Sequence, residues 1–535
     1  MNQITPPPKI EIIPSSAPFS EAQRSWLNGF FAGLLSDAPT PLSAEQGAAV
    51  MQSAAGDGDD GEAPWHDQTM PIADRMKLAE GRPLRRRMMA AMAQQDCGQC
   101  GYDCHDYSDA IASKSEARLN LCVPGGKETA RMLKSLYEEI DKAPAAPSSA
   151  PAAAPAALRP RSSAEPGRSR DNPAPAKFCR APLAQQGQIG KETWHIDFDL
   201  SGCGLDYVVG DSFGIFARND LGNVDQIIAL LGASHTTEVR GKTLREVLLD
   251  DVSLAPAPDS LFELISYLTG GAQREKARAL AQGEDPDGDA ATLDVMAVLQ
   301  KFSNVRPHPE AFVEALEPLQ PRLYSISSSH NATPGKLSLT VDCVRYVINK
   351  RKRLGLASTF LAERIKPGDE VKVYVQKAHG FALPQDPKTP IIMIGPGTGI
   401  APFRAFLHDR RATGAPGKNW LFFGHQRSDC DFFYADELNA MKTSGLLTRL
   451  SLAWSRDGDK KFYVQDRMRE VGRELWTWLA EGANIYICGD AKRMAKDVER
   501  ALVDIVAQFG ARSTDEAVSF VAELKKKGRF QQDVY

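Results

Sequence analysis

The chain has 535 residues, with 42% hydrophobic residues, 25% charged residues and a formal net charge of -4. This length exceeds what one hydrophobic core supports, so we expect three or four domains. The nearly balanced charge gives no reason to expect a nucleic-acid partner. No stretch approaches the ~18 apolar residues of a membrane span, and no basic, signal-like segment opens the chain. We therefore expect a cytoplasmic protein without a membrane partner.

The first 63 residues contain one candidate helix. Residues 1–18 are rich in proline, and residues 37–63 read as a loose linker. Between them, helical spacing of apolar residues with Ser20 as N-cap predicts a short amphipathic helix, with Phe19, Trp26, Phe30, Phe31 and Leu34 on its apolar face. This helix either packs on its own domain or docks on a partner.

Four of the nine cysteines lie close together, as Cys97-x2-Cys100-x3-Cys104-x17-Cys122. Disulfides are rare in the cytosol, so these thiols are candidate metal ligands. Zinc usually takes two well-separated C-x2-C pairs, whereas a compact triad with a remote fourth cysteine before a proline is typical of iron–sulfur ligation. We predict a [4Fe-4S] cluster in a small α-rich domain over residues 64–142. Structural zinc is the alternative.

Two segments of different character follow. Residues 143–176 are rich in Ala, Pro and Ser without apolar periodicity, which predicts a flexible tether. Residues 177–386 contain stretches that alternate apolar and polar residues and predict an antiparallel β-barrel, at 194–200, 337–341 and 371–375. Helical periodicity at about 221–318 predicts an insertion in that barrel.

Within the barrel, Arg322-Leu323-Tyr324-Ser325 is a candidate flavin clamp. It places a guanidinium, an aromatic ring and a hydroxyl on one predicted strand. The alternative is an ordinary solvated strand end.

Residues 387–535 alternate strand-like and helix-like runs, which predicts a doubly wound parallel α/β sheet. Its first strand, Ile391–Ile394, leads into a turn whose glycines let the backbone approach a pyrophosphate; the turn contains Gly397, Thr398 and Gly399. The alternative is a simple turn.

Two further strand ends carry candidate residues. The third strand ends at Ser455-Arg456, followed by Lys460, Lys461 and Tyr463. A hydroxyl, a guanidinium and an ammonium suit a 2′-phosphate, hence NADPH, unless this is only a basic solvated loop. The fourth strand ends at Cys488-Gly489-Asp490, where a thiol can lie against a nicotinamide or be a buried structural cysteine.

From about residue 177 onward the chain resembles the reductase half of the diflavin reductases, closest to the flavoprotein subunits of NADPH-dependent sulfite reductases. The matching motifs occur in the family's order: 322–325, 355–359, 395–402, 455–456, Lys461-x-Tyr463-Val464-Gln465, 488–490 and 529–535.

The resemblance implies a role for each matching residue. Arg322, Tyr324 and Ser325 hold the flavin and its phosphates. A second pyrophosphate cradle is formed by Gly355, Leu356, Ala357, Ser358 and Thr359. The NADPH site is formed by Gly397, Thr398, Gly399, Ser455, Arg456, Lys461, Tyr463, Gln465 and Asp490. The hydride path is surrounded by Ser325, Cys488 and Asp533, and Tyr535 stacks on the isoalloxazine and moves aside for nicotinamide.

The cysteine stretch resembles the small [4Fe-4S] domain of the electron-transport complex B subunits and the corrinoid iron–sulfur proteins. These share the pattern Cys-Gly-x-Cys-Gly, two further cysteines, and x-Pro-Gly-Gly after the last. This chain has three residues between the second and third cysteine, where the pattern has four.

A nicotinamide gives up two electrons at once, whereas clusters and haems take one, and a flavin converts between the two. No flavodoxin-type phosphate loop occurs in residues 1–176. We therefore predict the path NADPH to FAD to [4Fe-4S] to a partner, with the cluster swinging on its tether.

The resemblance implies a sulfite reductase haemoprotein (beta) subunit as that partner. Nitrite or nitrate reductase, or a ferredoxin, is the alternative acceptor. A hypothesis of another class makes the N-terminal region a zinc-stapled docking module on an ordinary NADPH reductase.

Overall fold

The computed structural model describes residues 63–142, 165–183, 192–378 and 380–535. The predicted aromatic helix after Ser20 and most of the predicted tether lie outside these residues. Pro64–Tyr535 form one unit. Within the described part of the chain, no helix has the length and apolar character to cross a membrane.

The clustered cysteines lie among four helices. These span Ile72–Leu78 (α1), Leu84–Ala91 (α2), Cys104–Ala112 (α3) and Gly126–Lys142 (α4). The carboxylate of Asp103 caps α3 by accepting a hydrogen bond from the Asp106 N–H at 2.7 Å. A small apolar core joins the helices through Met88, Tyr107, Ile111 and Leu133. We call residues 64–142 the cysteine module.

A six-stranded antiparallel sheet follows, in the order β6-β3-β10-β1-β2-β7. Its strands are Ala174–Pro182 (β1), Thr193–Asp199 (β2), Ser212–Ile215 (β3), Arg322–Ser325 (β6), Lys336–Asp342 (β7) and Glu370–Gln376 (β10). A bridge between Ile326 and Leu339 joins the β6 and β7 edges and closes the sheet into a barrel. Along each strand, inward-facing residues alternate with outward-facing ones. The inward-facing residues that fill the barrel include Phe178, Phe198 and Phe213.

Strand β1 begins inside the segment predicted as a tether, so that prediction was wrong for residues 174–176. Ala174 and Ala176 are buried in the barrel. Their small side chains, next to Pro175, have the composition of a linker, which hid the period-two pattern. Residues 165–173 also contact the fold, as Arg168 donates to the backbone oxygen of Asp206 at 2.8 Å.

A helical insertion with its own core connects β3 to β6. Its helices are Leu221–Leu231 (α5), Leu244–Asp250 (α6), Asp259–Leu268 (α7), Gly271–Gln282 (α8), Val295–Lys301 (α9) and Pro309–Glu314 (α10), with a short hairpin of Glu238–Val239 (β4) and Lys242–Thr243 (β5). A second hairpin, Arg345–Ile348 (β8) and Arg351–Leu354 (β9), leads into the short helix Leu356–Thr359 (α11).

The C-terminal part is a five-stranded sheet in the order β13-β12-β11-β14-β15, with all neighbours parallel. The predicted parallel α/β sheet is confirmed. Its strands are Ile391–Ile394 (β11), Asn419–His425 (β12), Arg449–Trp454 (β13), Asn484–Gly489 (β14) and Phe530–Val534 (β15). Its helices are Ala401–Ala412 (α12), Ala435–Thr443 (α13), Val464–Glu470 (α14), Gly472–Ala480 (α15), Met494–Phe509 (α16) and Thr514–Lys526 (α17).

The cysteine module is packed against the rest of the chain, which corrects the prediction that it swings freely. It contacts each of the three neighbouring parts. The Gln99 side-chain amide donates to the backbone oxygen of Pro321 beside the barrel at 2.7 Å. Arg131 pairs with Asp259 of the insertion at 3.0 Å, and Gln68 donates to the oxygen of Gln532 in the parallel-sheet domain at 3.2 Å.

A buried charged group joins the parallel-sheet domain to the barrel. Arg404 of α12 donates to the backbone oxygen of Ser327 at 2.7 Å and to the carboxylate of Glu437 at 2.9 Å. His408 contacts the other oxygen of that carboxylate. Burial acts to raise the pKa of Glu437, but the hydrogen bond with His408 and the charge of Arg404 outweigh it and lower the pKa to about 2.

This group predicts a pH dependence of stability. The ordinary pKa of 4.5 for Glu437 applies in the unfolded chain, so its contribution is fully present above that pH and is lost as the pH falls toward 2. We expect the loss to be about 3 kcal/mol. Thermal unfolding between pH 5 and pH 2.5 should show a steeper loss for the native chain than for Glu437→Gln. Equal slopes would contradict the prediction.

Candidate active site

Three predicted residues from two domains meet at one carboxylate oxygen. Ser325 ends the barrel strand β6, and its hydroxyl donates to Oδ2 of Asp533 on β15 at 2.5 Å. The thiol of Cys488 on β14 lies 3.6 Å from the same oxygen. The register of the parallel sheet sets this meeting, because Cys488 and Asp533 are direct neighbours across β14 and β15. The structure thus brings the predicted hydride-path residues together.

Burial is the main electrostatic influence on this group. It raises the pKa of Asp533 above 3.8, although the Ser325 and Cys488 hydrogen bonds act in the opposite direction. Burial, reinforced by the nearby Asp533 charge, also raises the pKa of Cys488 well above 9.0. The thiol is therefore protonated at neutral pH.

Tyr535 lies directly after β15, at the mouth of a cavity. Its N–H donates to the oxygen of Gly489 at 3.0 Å, and its carbonyl oxygen accepts from the N–H of Ala491 at 3.2 Å. Its hydroxyl is 3.1 Å from Oγ1 of Thr398. The side chain is nevertheless 58% exposed. The backbone is fixed while one face of the ring remains accessible.

That cavity lies at the carboxyl edge of the parallel sheet, where doubly wound folds bind ligands. Most of the residues predicted for NADPH line it, together with Tyr535: Gly397, Thr398, Ser455, Arg456, Lys461, Tyr463, Gln465 and Asp490. Gly399 does not line it. Instead, an added Cβ there would stand 2.2 Å from the backbone oxygen of Cys488, so the glycine lets the turn pack against β14.

The ends of β12 and β13 position the basic residues of this cavity. The N–H of Ser455 donates to the oxygen of His425 at 2.9 Å, and the N–H of Arg456 donates to that of Gln426 at 2.8 Å. Arg456 and Lys461 are exposed and form no ion pair with any residue in the described ranges. Their charges are available to a phosphate.

Sequence reasoning missed several residues that line the same cavity: Asp342, His425, Gln426, Phe462, Arg493, Met494 and Asp497. His425 and Gln426 lie at the carboxyl end of β12, so the rule applied to the neighbouring strands would have found them. Asp342 belongs to the barrel strand β7, and no pattern in the sequence indicates that it faces the other domain.

A second cavity lies between the barrel and the helical insertion. It is lined by three of the residues predicted to hold the flavin, Arg322, Gly355 and Leu356. Asp220 and Asp294 line it as well. It also contains Arg351, Lys352, Arg353 and Arg364, so five cationic side chains face two carboxylates. This excess of positive charge suits a pyrophosphate. The four further cations were not predicted.

The other predicted flavin residues lie behind this cavity. Tyr324 packs on the barrel core, and Ala357 is buried beside it. The Ser358 hydroxyl accepts from the N–H of Val344 at 3.1 Å, and the Thr359 hydroxyl donates to the oxygen of Gly355 at 2.7 Å. The two hydroxyls therefore hold the turn in shape.

The four cysteines of the module surround a single small cavity. Cys97, Cys100, Cys104 and Cys122 line it together with Tyr102 and Tyr107. Burial raises the pKa of Cys97 to about 12 and that of Cys100 to about 11.

Comparisons with known proteins identify the two larger domains. Residues 168–296 and 242–360 match the family described as FAD binding domain, and residues 393–500 match the oxidoreductase NAD-binding domain.

Three relatives are each named sulfite reductase (NADPH) flavoprotein alpha-component. The chain is 44% identical over 349 residues to that of Photorhabdus laumondii, and 44% identical over 355 residues to that of Escherichia coli O157:H7. Each match covers 64% of this chain and 58% of the relative. The protein of Escherichia coli O9:H4 is 42% identical over 377 residues, or 69% of this chain and 61% of the relative. The chain thus spans about three fifths of the length of the curated relatives it matches. It carries an FAD-binding domain followed by an oxidoreductase NAD-binding domain.

The position of Arg456 predicts a preference between nucleotides. Replacing Arg456 by alanine should weaken the binding of NADPH far more than the binding of NADH. The difference in binding free energy should be about 2 kcal/mol, because a charged hydrogen bond to the 2′-phosphate is lost. Binding isotherms of the oxidised nucleotides measure this. Arg411→Ala, on an exposed site at the end of α12 outside the cavity, is the matched control. Equal losses for both nucleotides would refute the role.

Proposed function

We propose that this chain is an NADPH-oxidising flavoprotein that sends electrons from NADPH through FAD to a [4Fe-4S] cluster and on to a sulfite-reducing haemoprotein. The observation that carries the proposal is the hydrogen bond between Ser325 and Asp533, which joins the FAD-binding and NAD-binding domains beside Cys488. The cluster ligands are Cys97, Cys100, Cys104 and Cys122.

The residues around Asp533 bind and orient the reacting groups. When bound, FAD takes two electrons from the nicotinamide and releases them singly. The exposed ring of Tyr535 would cover a bound flavin and would move aside for the nicotinamide. Ser325 and Cys488 orient the Asp533 carboxyl through hydrogen bonds to Oδ2, and burial raises the pKa of that carboxyl. The buried thiol of Cys488 excludes water from its side of the group.

Arg456 and Lys461 bind the 2′-phosphate of NADPH, and the turn at Gly397 approaches the pyrophosphate. On the flavin side, Arg322 and the turn at Gly355 hold the FAD pyrophosphate. Each pyrophosphate would then meet a glycine turn, where the backbone can come close, and the phosphates of both nucleotides would meet cationic side chains.

The residues of the cysteine module fit an iron–sulfur cluster. Buried thiols with raised pKa values ionise only when a cation is bound, as metal ligands do. All four cysteines line one cavity, as the ligands of a single cluster must. Gly98 and Gly101 have positive φ values of +64° and +96°, a backbone conformation in which glycine costs no strain. The turn is closed by a hydrogen bond from the Gly101 N–H to the Gly98 oxygen at 2.9 Å.

The packing of the module suggests a short route from flavin to cluster. Gln376, Ser212 and Ser325 form one row across β10, β3 and β6. A Cβ added at Gly98 of the cysteine loop would lie 2.2 Å from the Gln376 amide nitrogen, so the loop contacts this row. Two strand spacings separate Gln376 from Ser325, or about 10 Å. The proposed path from the residues around Ser325 to the cysteine loop is therefore short when the module is packed on the barrel.

We infer the partner from the relatives, which are named as flavoprotein components of sulfite reductase. The partner is then a sulfite reductase haemoprotein (beta) subunit. We also propose a cytoplasmic location, because all nine cysteines, each in the described part of the chain, are free thiols.

Metal analysis and an anaerobic absorption spectrum test the cluster. We expect four irons and acid-labile sulfide beside one FAD. Cys97→Ser should lose the visible absorbance beyond that of the flavin and stop delivery to the partner, while NADPH-to-dye activity persists. Cys179→Ser, at an exposed barrel cysteine, is the matched control. One zinc without iron would favour the docking-module hypothesis and refute the cluster.

Reconstitution with candidate acceptors tests the partner. Purified sulfite reductase haemoprotein should stimulate NADPH oxidation and produce sulfide, because it accepts the electrons that leave the cluster. Nitrite reductase, nitrate reductase and ferredoxin are run in parallel. Stimulation by one of these, with none by the sulfite-reducing haemoprotein, would replace the proposed partner while leaving the electron path intact.

A further inference from the structure

The outer face of barrel strand β10 is covered by the cysteine module. Successive residues of a strand point to opposite faces, so Lys372, Tyr374 and Gln376 share the face opposite the buried Val371, Val373 and Val375. Lys372 is exposed, as expected outside a barrel, yet Tyr374 is fully buried. Gln376, one step further along, contacts the cysteine loop at Gly98. The module therefore covers the wall at Tyr374.

A glycine on the neighbouring strand fixes the ring of Tyr374. Gly214 of β3 is its direct partner in the sheet. A Cβ added at Gly214 would stand 2.0 Å from Cε1 of the tyrosine, so the ring lies flat over a backbone without a side chain. Phe216 flanks it at 5.9 Å between ring centroids. The hydroxyl is consequently held in one direction.

That hydroxyl has no hydrogen-bond partner among the described residues, although it is buried. Its strongest electrostatic neighbours are Arg170, Cys97 and Cys100. A buried hydroxyl left unpaired costs free energy, so such groups usually mark a missing partner.

Arg170 cannot accept a hydrogen bond from this hydroxyl, since a guanidinium only donates. Its two terminal nitrogens are also occupied, one by the backbone oxygen of Gln99 and the other by Oε1 of Gln320 at 2.8 Å. Asp171, the other acceptor among these neighbours, is exposed to solvent. The buried acceptors near the hydroxyl are therefore the sulfur atoms of Cys97 and Cys100.

We propose that Tyr374 of the FAD-binding barrel donates its O–H to a sulfur of the cluster bound at Cys97 and Cys100, and so raises the reduction potential of that cluster. The inference rests on the proposed [4Fe-4S] site. Hydrogen bonds to the sulfurs stabilise the added negative charge of the reduced state and are one of the protein's means of setting cluster potentials. Tyr374 is a positioning residue in this role.

Because the donor belongs to the barrel and the cysteines to the module, the higher potential exists only where the two are packed together. The cluster is then the better electron acceptor in the arrangement that places it near the flavin. Release to a partner is favoured if that packing loosens.

Tyr374→Phe tests this in the full chain, because it removes only the oxygen. We expect the ratio of reduced to oxidised cluster at a fixed potential to fall roughly tenfold, equivalent to about 59 mV for one electron. The midpoint is measured by redox titration followed by electron paramagnetic resonance, with iron content unchanged. Tyr486→Phe is the matched control: this buried tyrosine of the NAD-binding domain donates to the oxygen of Ala382 at 2.9 Å, and its loss should leave the potential unchanged.

Tyr374→Leu also lacks the hydroxyl and serves as the second variant, with the same negative shift expected. An unchanged midpoint with full iron content in either variant would overturn the inference while the proposed function stands. Loss of iron from both would also overturn it, since the residue would then serve binding and not potential. Absence of iron from the native chain would instead refute the proposed function itself.

Discussion

The arrangement of the molecule depends on one contact, the hydrogen bond that Ser325 donates to Asp533. It connects the edge strand of an antiparallel barrel to the last strand of a parallel sheet. Neither domain alone contains the group that we assign to the hydride path, because the hydroxyl belongs to one and the carboxylate and thiol to the other. The Arg404–Glu437 group also joins the two domains, because Arg404 binds the backbone oxygen of Ser327, two residues beyond Ser325.

The cysteine module is a third part of the molecule, and it contacts both of these domains next to the same residues. It touches the barrel at Pro321, immediately before Arg322 of the flavin clamp, and touches the parallel-sheet domain at Gln532, immediately before Asp533. Both contacts are hydrogen bonds to backbone oxygens, so they depend on the path of the main chain more than on particular side chains. The proposed electron path thus passes through parts that are fixed relative to one another by the residues next to the reacting groups.

Much of this could be predicted from the sequence where a pattern is local. The buried run Ile391–Ile394 followed by a glycine turn identified a parallel strand and its nucleotide site, and the period-two stretches identified the barrel. Burial and long-range contact could not be predicted. Ala174 to Ala176 resemble a linker until a neighbouring strand buries them. Asp342 faces a cavity formed mainly by another domain, and Tyr374 is covered only because the module packs on it. Such features depend on residues far apart in the chain, which no local pattern records.

The contacts of Arg170 determine which two points of the structure the segment between Lys142 and Glu165 connects. By binding the oxygen of Gln99 and the side chain of Gln320, Arg170 attaches the chain that follows this segment to the same place as the cysteine loop that precedes it. The segment therefore connects two points of one unit and does not govern how often distant parts meet. Loop-closure entropy grows slowly with length, by only about 0.6 kcal/mol per doubling. Insertions, deletions and changes of composition between residues 143 and 164 should accordingly be tolerated during evolution, while substitutions at Arg170 should not.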